Sequence, residues 1–322
     1  MAIATAAPST ARILAAFAAV YVIWGSTYLG IRVGIESVPP YVLAGTRFAA
    51  SAVLMTAYAL WRRAPAPDAR DLRTGVLTGL LMLSAGNGTV TWATQFVPSG
   101  RIALLVATTP VWMTIFDWAR PAGVRPSLGE VAGLLVGLSG VALLIGPDAW
   151  SGATTPAALG GQLLALVGAC SWAAGSLFTR YSAGRTTAAM RTALQMWVAA
   201  VVLSGVAFLR GEWQGFALDD VSLRSWVAWW YLVLFGSLIG FTAYVWLLKV
   251  VSPAKAATYA YVNPAVALAL GWAVAGEPLS TRTLAASAVI IGGVALVTIA
   301  KRPTPPPAPN PHTDESPISE VA

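Results

Sequence analysis

The chain has 322 residues, of which 57% are hydrophobic and only 10% charged, with a mean hydropathy of +0.69; soluble domains carry about 25% charged residues, so composition excludes a soluble fold and indicates an integral membrane protein. The net charge of +7 comes from basic residues scattered in short clusters between apolar runs, a topological pattern that speaks against a nucleic-acid partner. One cysteine, Cys170, and one histidine, His312, exclude an intrachain disulfide and a Cys/His metal site, and no cofactor is expected.

Residues 1–10 are small and polar and read as a cytoplasmic segment. Arg12 precedes an apolar run through Leu29 that is too long for a signal-peptide core, which predicts an uncleaved first helix. Runs of about 20 apolar residues bounded by Pro, Gly or charge predict helices near 12–31, 41–61, 74–96, 99–118, 128–146, 160–180, 188–209, 225–248, 256–275 and 281–300. Only Val97, Pro98 and Ser99 separate the third from the fourth, so these two form a tight hairpin. The tail over 303–322 is Pro-rich, then polar and acidic, and reads as disordered and cytoplasmic.

Lys and Arg set the orientation. With the N-terminus inside, fourteen basic residues fall on the cytoplasmic side, among them Arg12, Arg62, Arg63, Arg180 and Lys255, against five outside: Arg32, Arg101, Arg210, Arg224 and Arg282. The positive-inside rule then places both termini in the cytoplasm.

Self-comparison reveals a repeat. An offset of 148 lays Trp24 on Trp172 and Arg32 on Arg180; an offset of 154 lays Gly86 on Gly240, Trp92 on Trp246, Arg101 on Lys255 and Pro110 on Pro264; an offset of 153 lays G-V-A-L-L at 140–144 on G-V-A-L-V at 293–297. Three blocks in one order at nearly one offset define two homologous halves, 11–149 and 150–302, of five helices each. Because five is odd, the second half enters the membrane from the opposite side. The predicted fold is an all-α integral membrane protein of ten transmembrane helices in two inverted five-helix repeats, an architecture of secondary transporters with a site near the midplane.

A site between the halves should be walled by polar helix faces. In the first helix Trp24, Thr27, Tyr28 and Ile31 share one side, and Gly25, Ser26 and Thr27 are equally readable as packing residues. The third carries Ser84, Asn87, Thr91, Thr94 and Gln95 on one face, with Trp92 beside it. In the fourth, Thr108, Thr109 and Trp112 surround Pro110, whose missing amide frees a carbonyl or kinks the helix. The sixth aligns Trp172, Gly175, Ser176 and Thr179; the eighth Ser237, Phe241 and Tyr244. The ninth sets Tyr259 one turn from Asn263, with Tyr261 on another face and Pro264 repeating the break. Asn87 and Asn263 are the costliest of these to leave facing lipid. The candidate substrate-binding set is Trp24, Tyr28, Asn87, Thr91, Trp92, Thr108, Trp112, Trp172, Ser176, Tyr244, Tyr259 and Asn263, with Pro110 and Pro264 as gating or helix-breaking positions. Trp61, Trp226, Trp229, Trp230 and Tyr231, at span ends, read as interface anchors.

Arg47 is the one clearly embedded charge, and two readings stand for it: a carboxylate ligand, or an anchor snorkelling about 9 Å to the interface. Asp, Glu and His are missing from mid-span, which speaks against a membrane proton relay.

W-G-S-T-Y at 24–28, P-x-x-L-A-G-T-R-F from Pro40 to Phe48, the prolines leading into the fourth and ninth helices, and G-E-P-L-S at 276–280 resemble EamA-type members of the drug/metabolite transporter superfamily. The resemblance covers 11–300 and implies a ten-helix bacterial inner-membrane exporter of amino acids or related metabolites, with helices 1, 3, 4, 6, 8 and 9 around a central cavity. The first half departs from the G-E-P pattern, having Val124, Arg125 and Pro126, so no role passes to Glu277 by symmetry. The expected function is export of small amphipathic metabolites, amino acids and aromatic ones among them, by alternating access. Drugs, nucleotide precursors or lipid-linked sugars are the same-fold alternatives. An enzyme or a membrane scaffold fits less well, because the spans lack a carboxylate pair and a scaffold needs no paired polar faces. The expected partners are the lipid bilayer and a small-molecule substrate; oligomeric state stays open, a monomer being sufficient.

Overall fold

A computed structural model of the chain describes residues 9–121, 123, 125–150, 155–182, 184–251, 256 and 259–300, the side chains of 145–150, 261, 297 and 298 excepted. The tail at 303–322, Lys255 and most of the segment 1–10 therefore lie outside the described residues. Every regular element among the described residues is helical: α1 (Thr10–Gly34), α2 (Pro40–Trp61), α3 (69–93), α4 (Ser99–Ala119), α5 (Leu128–Trp150), α6 (Pro156–Tyr181), α7 (Ala188–Leu209), α8 (Leu223–Val250), α9 (Tyr259–Ala275) and α10 (Thr281–Ile299), with a short 3₁₀ turn at Leu218–Asp220. Six of them, α1, α2, α4, α6, α7 and α8, are long and apolar enough to cross a membrane; α5, α9 and α10 contain shorter apolar stretches.

The helix starts follow from side chains that accept the orphan amides of a first turn. Asp68 and Asp71 form a reciprocal capping box at α3, so that helix begins at 69 and not near 74. Thr155, Thr187, Ser222 and Ser280 cap α6, α7, α8 and α10. The Thr155 cap ahead of Pro156 also explains why α6 begins before 160.

Repeat-related helices pack against each other head to tail. Gly45 of α2 meets Ser204 of α7, while Thr56 further along α2 accepts from Trp197 Nε1 at 3.0 Å; as one number rises the other falls, so the pair is antiparallel. The same holds for α5 and α10, where Gly129 lies against Ala300, Gly137 against Gly293 and Gly140 against Ile290. Equivalent helices of the two halves thus run in opposite directions, the signature of an inverted repeat. One pair of hydrogen bonds repeats with it: Arg32 Nη1 donates to the Thr94 carbonyl at 3.0 Å, and its counterpart Arg180 Nη1 donates to the Leu248 carbonyl at 3.1 Å.

Carboxylates fasten the halves to each other. Glu212, just past α7, accepts from the amides of Tyr41 (2.8 Å) and Val42 (3.2 Å) at the start of α2. Burial pushes the Glu212 carboxyl up, against the pull of those two amides and of Arg210. Asp71, in the half that contains α2, accepts from the amides of Arg185 (3.2 Å) and Thr186 (3.0 Å) ahead of α7. Glu277 accepts from Ser99 (2.8 Å) and Gly100 (3.2 Å) at the start of α4.

The contact between α5 and α10 depends on glycine. A Cβ at Gly293 would lie 2.3 Å from the Gly137 backbone nitrogen, whereas one at Gly292 would meet nothing within 4 Å. Gly293→Ala is therefore expected to force the two helices apart and cost about 1–3 kcal/mol, while Gly292→Ala is neutral. Melting of the two variants in detergent checks this, and equal shifts would contradict the packing.

An aromatic cavity where the halves meet

The cavity lies between the halves. It takes Trp24, Thr27, Tyr28 and Ile31 from α1, Arg47 and Phe48 from α2, Leu83, Gly86, Asn87 and Val90 from α3, Val106 from α4, Gly168 and Trp172 from α6, Gly236, Ser237 and Phe241 from α8, and Tyr259 and Asn263 from α9. Its empty space, open mouth included, is about 740 Å³.

Three helices that build the wall are widened. Residues Ala19–Trp24 of α1, Gly79–Asn87 of α3 and Leu232–Gly240 of α8 are π-helical, a form that concentrates at functional sites. The second and third are repeat equivalents, since Gly79 and Leu232, like Asn87 and Gly240, stand 153 residues apart. The repeat partner of the first, in α6, is ordinary α-helix. Side chains engage carbonyls in the widened turns. Trp24 Nε1 donates to the Gly236 carbonyl at 3.1 Å. Ser84 Oγ donates to the Gly79 carbonyl five residues back at 3.1 Å. The Asn263 amide, with its nitrogen turned toward α1, donates to the carbonyls of Tyr21 (3.1 Å) and Tyr259 (3.3 Å).

Trp24 is the centre of an aromatic cluster. Its ring centroid lies 4.9 Å from Tyr244, 5.4 Å from Trp172 and 5.5 Å from Tyr259, distances and tilts at which ring edges meet ring faces. Gly240 allows this, because a Cβ there would fall 2.5 Å from Trp24 Nε1. Trp172 Nε1 finds no acceptor of hydrogen-bond geometry.

Of the twelve candidate residues, Trp24, Tyr28, Asn87, Trp172, Tyr259 and Asn263 line the cavity, and all four members of the α1 face do. Tyr244 stands behind the wall, buried, its hydroxyl paired with Ser176 Oγ at 3.0 Å. Thr91 is buried and donates to the Asn87 carbonyl at 3.0 Å, supporting a wall residue without being one. Trp92 lies off the cavity, its ring tilted against Phe96 at 4.8 Å between centroids, with the Arg210 guanidinium 5.9 Å from its ring. Counting 3.6 residues per turn through α3 put Ser84, Asn87, Thr91, Thr94 and Gln95 on one face; of these only Asn87 lines the cavity, beside Leu83, Gly86 and Val90, while Thr91 and Thr94 bond back to carbonyls of their own helix.

In α4 the break comes at Ala107–Thr108, ahead of Pro110. Thr108 Oγ1 bonds back to the Leu105 carbonyl at 2.6 Å and accepts from Trp112 Nε1 at 3.3 Å, and Trp112 packs with Phe116 against Met113, Ala173 and Leu177. Neither residue lines the cavity, because the turn re-aims the segment that follows it. Pro264 does not break its helix: α9 runs from Tyr259 to Ala275 with the proline inside, the single lost bond being tolerable where neighbours surround the backbone. Two of the residues read as interface anchors bond to neighbouring helices: Trp229 donates to Thr46 Oγ1 at 3.0 Å and the Tyr231 hydroxyl pairs with Ser26, whereas Trp61 and Trp230 are exposed.

Sequence reasoning did not place Phe48 in the wall and left Arg47 open between a carboxylate ligand and an interface anchor; in the structure Arg47 lines the cavity and its Nη2 donates to Asn87 Oδ1 at 2.9 Å. Among the described residues no group of three or more His, Cys, Asp or Glu lies together.

Known proteins share this plan. The model of the EamA-like transporter family matches the chain twice, over residues 11–146 and 159–299. The inner membrane transporter YedA of Escherichia coli (strain K12) is 42% identical over 287 residues, 88% of this chain and 89% of its own. The "Probable terminal-alkyne amino-acid exporter" of Streptantibioticus cattleyicolor is 28% identical over 276 residues, covering 86% and 90% of the two chains. The "Probable amino-acid metabolite efflux pump" of Escherichia coli (strain K12) is 26% identical over 285 residues, covering 85% and 91%. A crystal structure 21% identical in sequence superposes with a TM-score of 0.64 over 91% of this chain and 99% of its own, a likeness of fold.

Proposed function

The chain belongs to the EamA-like transporter family, a membrane transporter by that membership, and from this premise we propose that it exports small amphipathic metabolites across the bacterial inner membrane by alternating access. Amino acids, aromatic ones among them, are the proposed cargo, and both termini lie in the cytoplasm. The observation that carries the reading is the cavity between inverted halves: rings of Trp24, Tyr28, Trp172 and Tyr259 offer apolar faces, while Asn87, Ser237 and Asn263 supply a few placed polar groups. An amphipathic molecule with a flat or branched apolar body matches such a lining. The names of two relatives, an amino-acid exporter and an amino-acid metabolite efflux pump, support the same class. The carboxylates described above hold backbone amides at helix ends and none lines the cavity, so flux is proposed to run without a carboxylate proton relay in the wall.

The purified protein in liposomes is expected to give saturable flux of at least one apolar or aromatic amino acid, with or without a pH gradient, and Asn263→Ala is expected to reduce it about tenfold, the loss of one or two hydrogen bonds. Absence of saturable flux for every amino acid would overturn the cargo, and flux of a drug or nucleotide precursor alone would replace it.

A further inference from the structure

The cavity contains one cation, and its surroundings are unusual. Arg47 sits in the interior of α2 and is 4% exposed. It does not snorkel to an interface, since its guanidinium points to Asn87, with Nη2 donating to Asn87 Oδ1 at 2.9 Å and its carbon 4.4 Å from the Phe48 ring centroid. Among the described residues only Nη2 of the three guanidinium nitrogens has an acceptor, and Nε is buried without one. Among the described residues no carboxylate lies within ion-pair distance of it. Ser237, on α8 in the facing half, also lines the cavity, is 2% exposed and leaves its hydroxyl without a partner.

A guanidinium stays protonated, and a buried cation at membrane depth is costly unless something balances it. The protein supplies the neutral oxygen of Asn87 and the face of a ring; the balancing negative charge is missing. We propose that the cargo brings it. Arg47, with Asn87 and Ser237, is the anion subsite of the cavity, docking one carboxylate of the transported molecule while the apolar body lies against Trp24, Tyr28 and Phe241. This rests on the transport reading above and adds the group by which the cargo is recognised.

The chemistry limits that group to a single negative charge. Among the described residues the lining contains no second Lys or Arg, so one guanidinium and neutral donors match a carboxylate better than a phosphate dianion. Nor does an Asp or Glu among the described residues line it, so an α-ammonium meets no counter-charge there and finds at most the faces of the aromatic rings. The carboxylate is then the discriminating end of an amino acid. N-acyl amino acids and apolar 2-hydroxy acids should bind about as well as the parent acid, and the amide or the decarboxylated amine should not.

The test uses full-length protein with phenylalanine, N-acetylphenylalanine, phenylalanine amide, phenethylamine and phenyl phosphate. Each is measured by the rise it produces in melting temperature and, in liposomes, by competition with the amino acid showing the fastest flux. Phenylalanine and its N-acetyl derivative are expected to bind at least tenfold tighter than the amide, the amine and phenyl phosphate. Arg47→Gln is expected to erase that difference, and Arg47→Lys to restore part of it. Equal binding of acid and amide by the unaltered protein overturns the subsite without any variant having to fold, and so does a melting temperature that no carboxylate raises. Tighter binding of phenyl phosphate than of phenylalanine replaces the carboxylate with a phosphate. If no amino acid crosses the membrane, the transport reading falls, while a melting shift produced by acids and lost in Arg47→Gln keeps the subsite.

Discussion

Trp24→Ala is expected to abolish measurable transport, lowering initial rates in liposomes at least a hundredfold, and to destabilise the protein by about 3–5 kcal/mol, the usual cost of truncating a packed tryptophan. The size of the effect follows from position. Three aromatic rings, Trp172, Tyr244 and Tyr259, pack on Trp24 within 5.5 Å, and its indole nitrogen holds the Gly236 carbonyl of a widened turn in the other half. Alanine removes the cavity wall, the contact between halves and the donor together. Trp24→Phe separates these contributions, keeping the ring and losing only the bond, and is expected to retain transport within about tenfold at a cost near 1 kcal/mol. Rates normalised to incorporated protein, with melting followed in parallel, decide the matter. Trp24→Ala transporting within twofold of the unaltered protein would exclude this residue from the site.

The largest effect on stability alone is expected at Asp71. Its side chain is fully buried and accepts from the amides of Arg185 and Thr186, besides closing the capping box of α3 with Asp68. Asp71→Ala leaves at least two of these amides without an acceptor, one of them on the buried Thr186, and at about 1–3 kcal/mol for each the total is about 3–5 kcal/mol. Glu212→Ala opens a similar pair of amides at Tyr41 and Val42, but nearer solvent, the Glu212 side chain being 12% exposed, where water can replace the carboxylate. It is expected to cost about 1–2 kcal/mol. The order of the two melting temperatures is the check, and a milder loss in Asp71→Ala than in Glu212→Ala would show that the buried amides find other acceptors.

Much of this architecture was legible in the residues. Trp24, Thr27, Tyr28 and Ile31 lie at helical spacing and share one side as the periodicity requires, and the offsets of 148 to 154 residues, taken with five predicted helices in each half, pointed to the inverted repeat. Asn87 and Asn263 were marked by the cost of facing lipid, which does not depend on where neighbouring helices lie. The widened turns were not legible, because nothing in G-L-L-M-L-S-A-G-N at 79–87 distinguishes five-residue from four-residue hydrogen bonding. Trp112 and Thr108 were misplaced for a related reason, the break in α4 falling ahead of its proline. Trp229 and Tyr231 read as interface residues by position alone, yet each found a hydroxyl on a neighbouring helix. The carboxylates of Asp71, Glu212 and Glu277 bond to amides more than a hundred residues away, and no local pattern announces such partners.

Those distant bonds also constrain how the chain is made. The first half leaves the ribosome with the opening amides of α2 and of α4 still waiting for Glu212 and Glu277, which belong to sequence not yet translated, while its own Asp71 waits for residues 185 and 186. Neither half supplies acceptors for all of its own backbone amides. Insertion into the bilayer can proceed helix by helix, but completion is a late event, reached only when the second half has been made and inserted in its opposite orientation.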